Sequence, residues 1–551
     1  YYRLPLYFGY YLNPNTQEWS RYDNWGTEDL DTPQPPLNIS ETENISDAYR
    51  SHFYQGQLNY NRSFGKHNVG LTGVFTRRES RAISDFTRYE ENWIGRGTYN
   101  YDQRYFLEAS ITHSGSEKFA PGLRFGTFPA FAGGWTISNE SFYKDSKAST
   151  FMDFVKLRGS YGVVGSDAGI DRWLYISEFT DGDQTVGFGN PIQYYPVINE
   201  GNIPVTDATW EEATKSNVAV DLGFFDSAVT LSVDLFDERR TGVLQSRQSV
   251  PSYIGVSGIS GNLGETKSHG MEVQLGFNKA INDNWVVYGS ANIAWSENRV
   301  VYYDEPASRP FHLKAEGKPV EIARRLGWYT PGTGVMDNGF YQNFDQLFMY
   351  PRASGGSPIV GDLAFMDFNG DGVVDQQDRI VSEYPIVPEL NWNASLGANF
   401  KNWSLDVQLY GIGKTQQPMR QGGMFFLYPF TEGKNNAFTA HGDRWTPTNT
   451  NAEFPSVHSV AIDQYNYRIS QFSMIDGQYI RLRNVRLGYT LKSDFLDKLS
   501  IKNVNFGLTG TNLLTWSRRG WGGDPEGFNF GADFGAYPQM KRYSFDLSIE
   551  F

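Results

Sequence analysis

The segment RYSFDLSIEF, Arg542 to Phe551, alternates without a break. Tyr543, Phe545, Leu547, Ile549 and Phe551 share one face of an extended chain, and Arg542, Ser544, Asp546, Ser548 and Glu550 share the other, because successive side chains of a strand point to opposite sides. Such a strand needs an apolar medium on one side and a wet one on the other. The same pattern recurs upstream. WSLDVQLYG sets Trp403, Leu405, Val407 and Leu409 against Ser404, Asp406 and Gln408, and NWNASLGANF sets Trp392, Ala394, Leu396, Ala398 and Phe400 against Asn, Ser and Gly. AVTLSVDLF, MEVQLGF, SNVAVDLGF and YFLEASITH read likewise. By alternation there are about 16 such segments. In YIRLRNVRLGY the apolar phase slips between Leu482 and Val485, which predicts a bulge.

The connections decide between architectures. Those at 64–67, 101–104, 225–228, 278–284 and 400–403 are short; those at 77–90, 114–124, 166–210, 240–266, 302–388, 414–476 and 516–541 are long. Two of intermediate length, 139–153 and 490–500, fall where short ones are due. A meander with tight turns at one end and long loops at the other is the signature of an outer-membrane barrel. A soluble sandwich or propeller would also alternate, but gives no reason for one-sided loop lengths. Trp285, Trp295, Trp392, Trp403, Tyr410, Tyr489 and Tyr543 at strand ends fit interfacial girdles. A polar lumen accounts for a mean hydropathy of −0.49. The expected fold class is therefore all-β, a transmembrane antiparallel up-and-down β-barrel with long extracellular loops.

Composition excludes several alternatives. The chain has 48 basic against 62 acidic residues, a net charge of −14, which argues against a nucleic-acid surface. With no cysteine there is neither a disulfide nor a thiolate metal site. No stretch approaches the roughly 18 consecutive apolar residues of a membrane helix.

One motif stands apart. DFNGDGVVDQQD, 367–378, matches the oxygen-ligand pattern of an EF-hand loop. As a Ca²⁺ site it would use the side chains of Asp367, Asn369, Asp371 and Asp378, the carbonyl of Val373, and Asp375 directly or through water. Its flanks, GDLAFM and RIVSEYPIVPEL, have no helical periodicity, and Asp378 stands where an EF-hand has Glu. The other reading is a polar turn held by aspartate–backbone bonds. GIGKT, 411–415, falls short of a phosphate loop, since Gln408 occupies the place of its first glycine. The seven histidines form no metal-spaced pair and no catalytic constellation can be placed, so the expectation is not an enzyme. The aromatic-rich stretches 326–350 and 424–430 either stack on sugars or a partner, or pack together to order long loops.

In order along the chain stand SHFYQGQLNYN, VKLRGSYGVVGS, WEEATKSNVAVDLGFF, NLGETKSHGMEVQLGF, GDLAFMDFNGDGVVDQQDRIV, GQYIRLRNVRLGYTL, GTNLLTW, GGDPEG and YPQMKRYSFDLSIEF. This succession resembles the C-terminal part of SusC/RagA-like TonB-dependent outer-membrane transporters. The resemblance implies a barrel of about 22 strands preceded by a plug, so residues 1–551 would supply only the C-terminal barrel portion, with plug and first strands absent. It implies active import of oligosaccharides or oligopeptides, energised through the TonB complex. The implied partners are a SusD-like surface lipoprotein acting as a lid, the missing N-terminal plug/barrel segment and outer-membrane lipid. The C-terminus would face the periplasm, and the 302–388 loop, which carries the calcium motif, the exterior. The alternative is a passive or structural barrel subunit of a split assembly, without energy coupling.

Overall fold

The computed structural model describes residues 9–12, 19–22, 49–82, 86–251, 253, 259–322, 324–327, 338–354, 356–418, 437–457, 465–466, 468–518, 524–526 and 539–551. The chain divides into two compact units, Tyr1–Gly56 with Thr76–Glu91, and Gln57–Phe75 with Asn92–Phe551. Within the first, a small hairpin pairs Gly9–Leu12 with Trp19–Tyr22, and Arg77 bridges Glu79 and Glu91 at 3.0 and 3.8 Å.

The dominant element is a 15-stranded antiparallel sheet. Its strands are β1 (Tyr49–Phe64), β2 (His67–Ala82), β3 (Arg88–Tyr101), β4 (Tyr105–Ser116), β5 (Phe125–Thr136), β6 (Met152–Ser166), β7 (Glu211–Phe224), β8 (Val229–Ser246), β9 (Ser260–Asn282), β10 (Trp285–Tyr302), β11 (Leu390–Phe400), β12 (Trp403–Ile412), β13 (Tyr479–Leu491), β14 (Asn503–Ser517) and β15 (Arg542–Glu550). Each pairs with its neighbours in sequence, in the order β1 to β15 with no crossover. No helix among the described residues is long and apolar enough to cross a membrane.

Register makes the two faces continuous. Leu405 of β12 stands opposite Ala398 and Leu487, and Leu508 of β14 opposite Leu487 and Phe545. On the other face Asp406 stands opposite Gly397 and Arg486, and Thr509 opposite Arg486 and Ser544. The apolar face is left open: Leu107 and Phe131 are each 60% exposed and Phe545 68%. In water that surface would be very costly; against lipid it is the expected outer wall of a transmembrane barrel. The slip predicted in β13 is present, with Arg483 left out of register between Leu482 and Asn484.

Where strands need a close approach, glycine supplies it. Tyr288 of β10 lies across Gly397 of β11, where an added Cβ would come within 2.2 Å of the ring. The tyrosine is thereby laid along the wall to donate to Asp406 at 2.6 Å, a close-packed aromatic–glycine pair that braces a sheet.

Short and long connections alternate as expected, but two long ones shrink. β2 runs to Ala82 and β3 begins at Arg88; β8 runs to Ser246 and β9 begins at Ser260. In these upper strand segments the outward residues turn charged, with Arg239 bonded to Glu265 at 2.5 Å and Lys267 to Asp237 at 3.1 Å. Pairing continues there while alternation of hydropathy stops, so hydropathy cannot show where the strand ends.

Candidate functional site

The polar face of the sheet is a wall of paired charges, amides and hydroxyls. Arg158 of β6 donates to both oxygens of Asp221 on β7, at 2.7 and 2.9 Å, and reaches Asp234 on β8 at 3.2 Å. Ser232 completes the group by donating to Asp221 at 2.7 Å. Arg96 and Glu108 form a two-pronged pair, both bonds 2.7 Å. Lys156 sits 4.5 Å from the centroid of Phe106. Phe106, Glu108, Lys156 and Arg158 line a recess of about 590 Å³ together with Asn61, Asn100 and Asn217. Further round, Asn292 donates to Asn393 at 3.1 Å and Arg486 pairs with Asp546 at 3.2 Å. Half-exposed ion pairs of this kind add little stability. Their consequence is chemical: the face carries both signs of charge, and offers many donors and acceptors to a hydrated solute.

Among the described residues, a hydrophobic core lies elsewhere. Phe340, Tyr341, Leu363, Ala364 and Phe365 from the 302–388 connection pack with Trp445, Phe454 and Tyr465 from the 414–476 connection in one hydrophobic cluster. Polar groups inside it are satisfied. Asp362, fully buried, accepts from Ser456 at 2.9 Å, Asn466 at 2.8 Å and the Ile359 amide at 2.8 Å, while Asn466 accepts from the Leu363 amide at 2.9 Å. Tyr341 and Tyr465 hydroxyls meet at 3.1 Å; burial, then Tyr341, pushes the Tyr465 phenol far above its usual range, so it stays neutral. The aromatic stretch 326–350 thus splits in role. Phe340, Tyr341 and Leu347 are core, while Phe344, Phe348 and Met349 of the short helix Phe344–Met349 face solvent. The second aromatic stretch, 424–430, lies outside the described residues.

The acidic loop is built as a chain of side-chain-to-backbone turns. Asp367 accepts from the Gly370 and Gly372 amides at 2.7 and 2.8 Å, Asn369 from Asp371 at 2.9 Å, Asp371 from Val373 at 2.9 Å and Asp375 from Gln377 at 2.7 Å. Asp378, fully buried, accepts from Phe368, Asn369 and Asp375 at 2.8, 3.1 and 2.7 Å. Among the described residues no three Asp, Glu or His side chains converge as a metal-holding group. Every proposed side-chain ligand therefore has a backbone partner in the turn, and the loop's shape needs no ion to account for it. GIGKT ends strand β12, where Thr415 donates to the Pro385 carbonyl at 2.9 Å and Lys414 to Tyr384 at 2.8 Å; Gln416–Pro418, directly after it, form a short strand and not the helix of a phosphate cradle.

A fourth feature escaped sequence reading. Arg481 of β13 is fully buried and bridges Asp524 at 2.5 Å and Glu526 at 3.1 Å. The blocks GQYIRLRN and GGDPEG, far apart in sequence, are joined by this contact. The only signal was a charged residue in a strand position next to a phase slip.

A one-sheet antiparallel meander with an apolar outer face, a polar inner face and long connections at one end defines a transmembrane β-barrel. The particular resemblance to SusC/RagA-like TonB-dependent receptors holds in sequence and in fold. No family model matches the chain. It is 25% identical over 552 residues to TonB-dependent receptor P3 of Formosa agariphila, covering 90% of this chain and 52% of that one. It is 22% identical over 468 residues to TonB-dependent receptor SusC of Bacteroides thetaiotaomicron, covering 84% and 43%. Among solved structures, the RagAB peptide transporter superposes with a TM-score of 0.67 at 18% identity, over 91% of this chain and 56% of that one. The chain thus spans about half the length of the curated relatives it matches.

Proposed function

We propose that this chain is the barrel portion of an outer-membrane importer of oligosaccharides or oligopeptides, energised through TonB. It works with a SusD-like lipoprotein lid and with plug and barrel segments outside residues 1–551. The observation that carries this reading is the inner wall, whose paired charges and amides suit a hydrated, polar cargo. The likeness to proteins named TonB-dependent receptors supports the energy source, and the likeness in fold to a peptide transporter supports the class of cargo. The long connections, and the loop module they form, face outward. Phe551 follows β15 at the short-turn end, where Asn503 pairs with Glu550, and so faces the periplasm. The function is passage, not catalysis. Deleting the gene in its host should abolish growth on one class of oligosaccharide or peptide, and a proton-motive-force uncoupler should do the same to the intact strain. Uptake that persists with the uncoupler would leave the passive barrel reading in its place.

The 367–378 loop is proposed as a calcium site of structural kind, using Asp367, Asn369, Asp371, Val373, Asp375 and Asp378. Close carboxylates repel, so a bound cation would favour the folded loop. Asp367→Ala with Asp371→Ala should leave the barrel folded but make the loop protease-sensitive. EDTA should do the same to the unmutated protein, and Ca²⁺ should reverse it. Protection unchanged by EDTA, with no heat of Ca²⁺ binding by calorimetry, would reduce the loop to a turn held by its own bonds.

A further inference from the structure

The outer face changes character along β1 and β2, on the side away from the tight turn between Phe64 and His67. Along β1 it carries Leu58, Tyr54, His52 and Arg50 in that order, all on one side of the strand. Leu58 and Tyr54 are exposed, the His52 ring centroid lies 6.3 Å from that of Tyr54, and Arg50 donates to His52 Nε2 at 2.6 Å. On β2 the same face carries Arg77, Glu79 and Arg81, and the Arg77 guanidinium lies 5.5 Å from the ring of Tyr89 on β3. Register then brings two cations together. The hairpin closes through Gly65 and Lys66, and the pairs that follow from a two-residue turn are in contact: Ser63 donates to Asn68, Thr72 donates to Asn59, and the Arg78 guanidinium lies 5.9 Å from the Phe53 ring. Three residues further along each strand, the same register sets Arg50 opposite Arg81.

Like charges directly opposite one another across two strands repel. The carboxylates of this face do not relieve it. Glu79 and Glu91 both pair with Arg77, at 3.0 and 3.8 Å, and among the described residues neither Arg50 nor Arg81 has a carboxylate partner. Both arginines are exposed. Their height is set by the tyrosines. Outward Tyr54 and Tyr89 mark the level where hydrocarbon gives way to polar headgroups. Arg50 stands four residues beyond Tyr54, roughly 13 Å along a strand and about 10 Å in height once strand tilt is included. A long side chain at that level reaches back among the headgroups.

We propose that Arg50 and Arg81 form a binding site for the phosphate of an outer-leaflet lipid, which sits between them as their counter-anion. A phosphate offers enough charge and enough acceptor oxygens for two guanidiniums at once; a neutral headgroup would leave their repulsion in place. The proposal takes from the import reading only the outward direction of the long connections, and nothing about cargo.

The experiment uses the full-length protein in neutral detergent. It is titrated with diphosphoryl lipid A and, separately, with the same lipid stripped of its phosphates, and bound lipid is counted by native mass spectrometry. The parent should hold the phosphorylated lipid and not the stripped one. Arg50→Gln or Arg81→Gln should weaken binding about fivefold, and the two together about 25-fold, the scale of one surface cation each at an anionic headgroup. Arg78→Gln, next in sequence to Arg77 but on the inner face, should change nothing. Heat-modifiable migration on gels checks that each barrel is assembled. Equal binding of the stripped lipid, unchanged affinity in the double variant, or an equal loss in Arg78→Gln would overturn the site. Displacement of the lipid by millimolar inorganic phosphate would make it a site for free anions, and the lipid assignment would fall. If lipid binding responds as expected while no uncoupler-sensitive uptake is found, the lipid site stands and the import reading falls.

Discussion

Gly361→Val is expected to unfold the loop module while the sheet survives. Gly361 has φ of +92°, a region that costs a β-branched residue about 1–3 kcal/mol. Space is also lacking: a Cβ there would lie 2.3 Å from the Trp445 ring and 2.8 Å from the Ser456 Cβ. Overpacking adds about 1–3 kcal/mol more. The position is a joint between the two long connections. Gly361 donates to the Tyr341 carbonyl at 2.7 Å and its own carbonyl accepts from Ser456 at 2.8 Å. Loosening it separates Trp445 from the cluster and breaks the setting of Asp362. Brief proteolysis of intact cells should therefore cut both connections in the variant and neither in the parent, while heat-modifiable migration stays unchanged. Equal resistance in the two proteins would mean that the module's stability does not depend on this joint.

Leu396→Arg and Ser395→Arg, adjacent in β11, should behave oppositely. Leu396 is on the outer face, 48% exposed, between Gly289 and Val407. A guanidinium there would meet hydrocarbon, at about 2–4 kcal/mol near the middle of the bilayer. Ser395 faces inward between Ser290 and Gln408, where an arginine keeps its water. Urea titration of folded protein in vesicles, followed by tryptophan fluorescence, should show a clear loss of stability for the first substitution and little for the second. Equal losses would mean that the sheet does not present this face to lipid.

The sheet was legible because its chemistry is local. Tyr543, Phe545 and Leu547 announce one face within a single strand, and one slipped residue, Arg483, announces a bulge, since the period of two is a property of the backbone alone. The same logic fails above the bilayer. Glu265, within the 240–266 stretch that reads as loop, lies in strand β9 and pairs with Arg239 of β8, although no medium there demands an apolar side. The acidic motif shows another limit. Spacing places Asp367, Asn369, Asp371 and Asp378 on one turn, but spacing is satisfied equally by ion ligation and by bonds to the Gly370, Gly372 and Phe368 amides.

What the amino-acid sequence determined by itself was therefore the barrel: alternation, turn placement and aromatic ends follow from neighbours within a few residues of each other. What only the tertiary structure decided was everything made by distant segments meeting. Tyr341 and Tyr465, Asp362 and Asn466, and Arg481 with Asp524 and Glu526 each lie on different connections or strands. No periodicity links such residues. Their pairing is set by which long loops fold against which, and burial alone then turns an ordinary tyrosine, aspartate or arginine into a joint that the fold depends on.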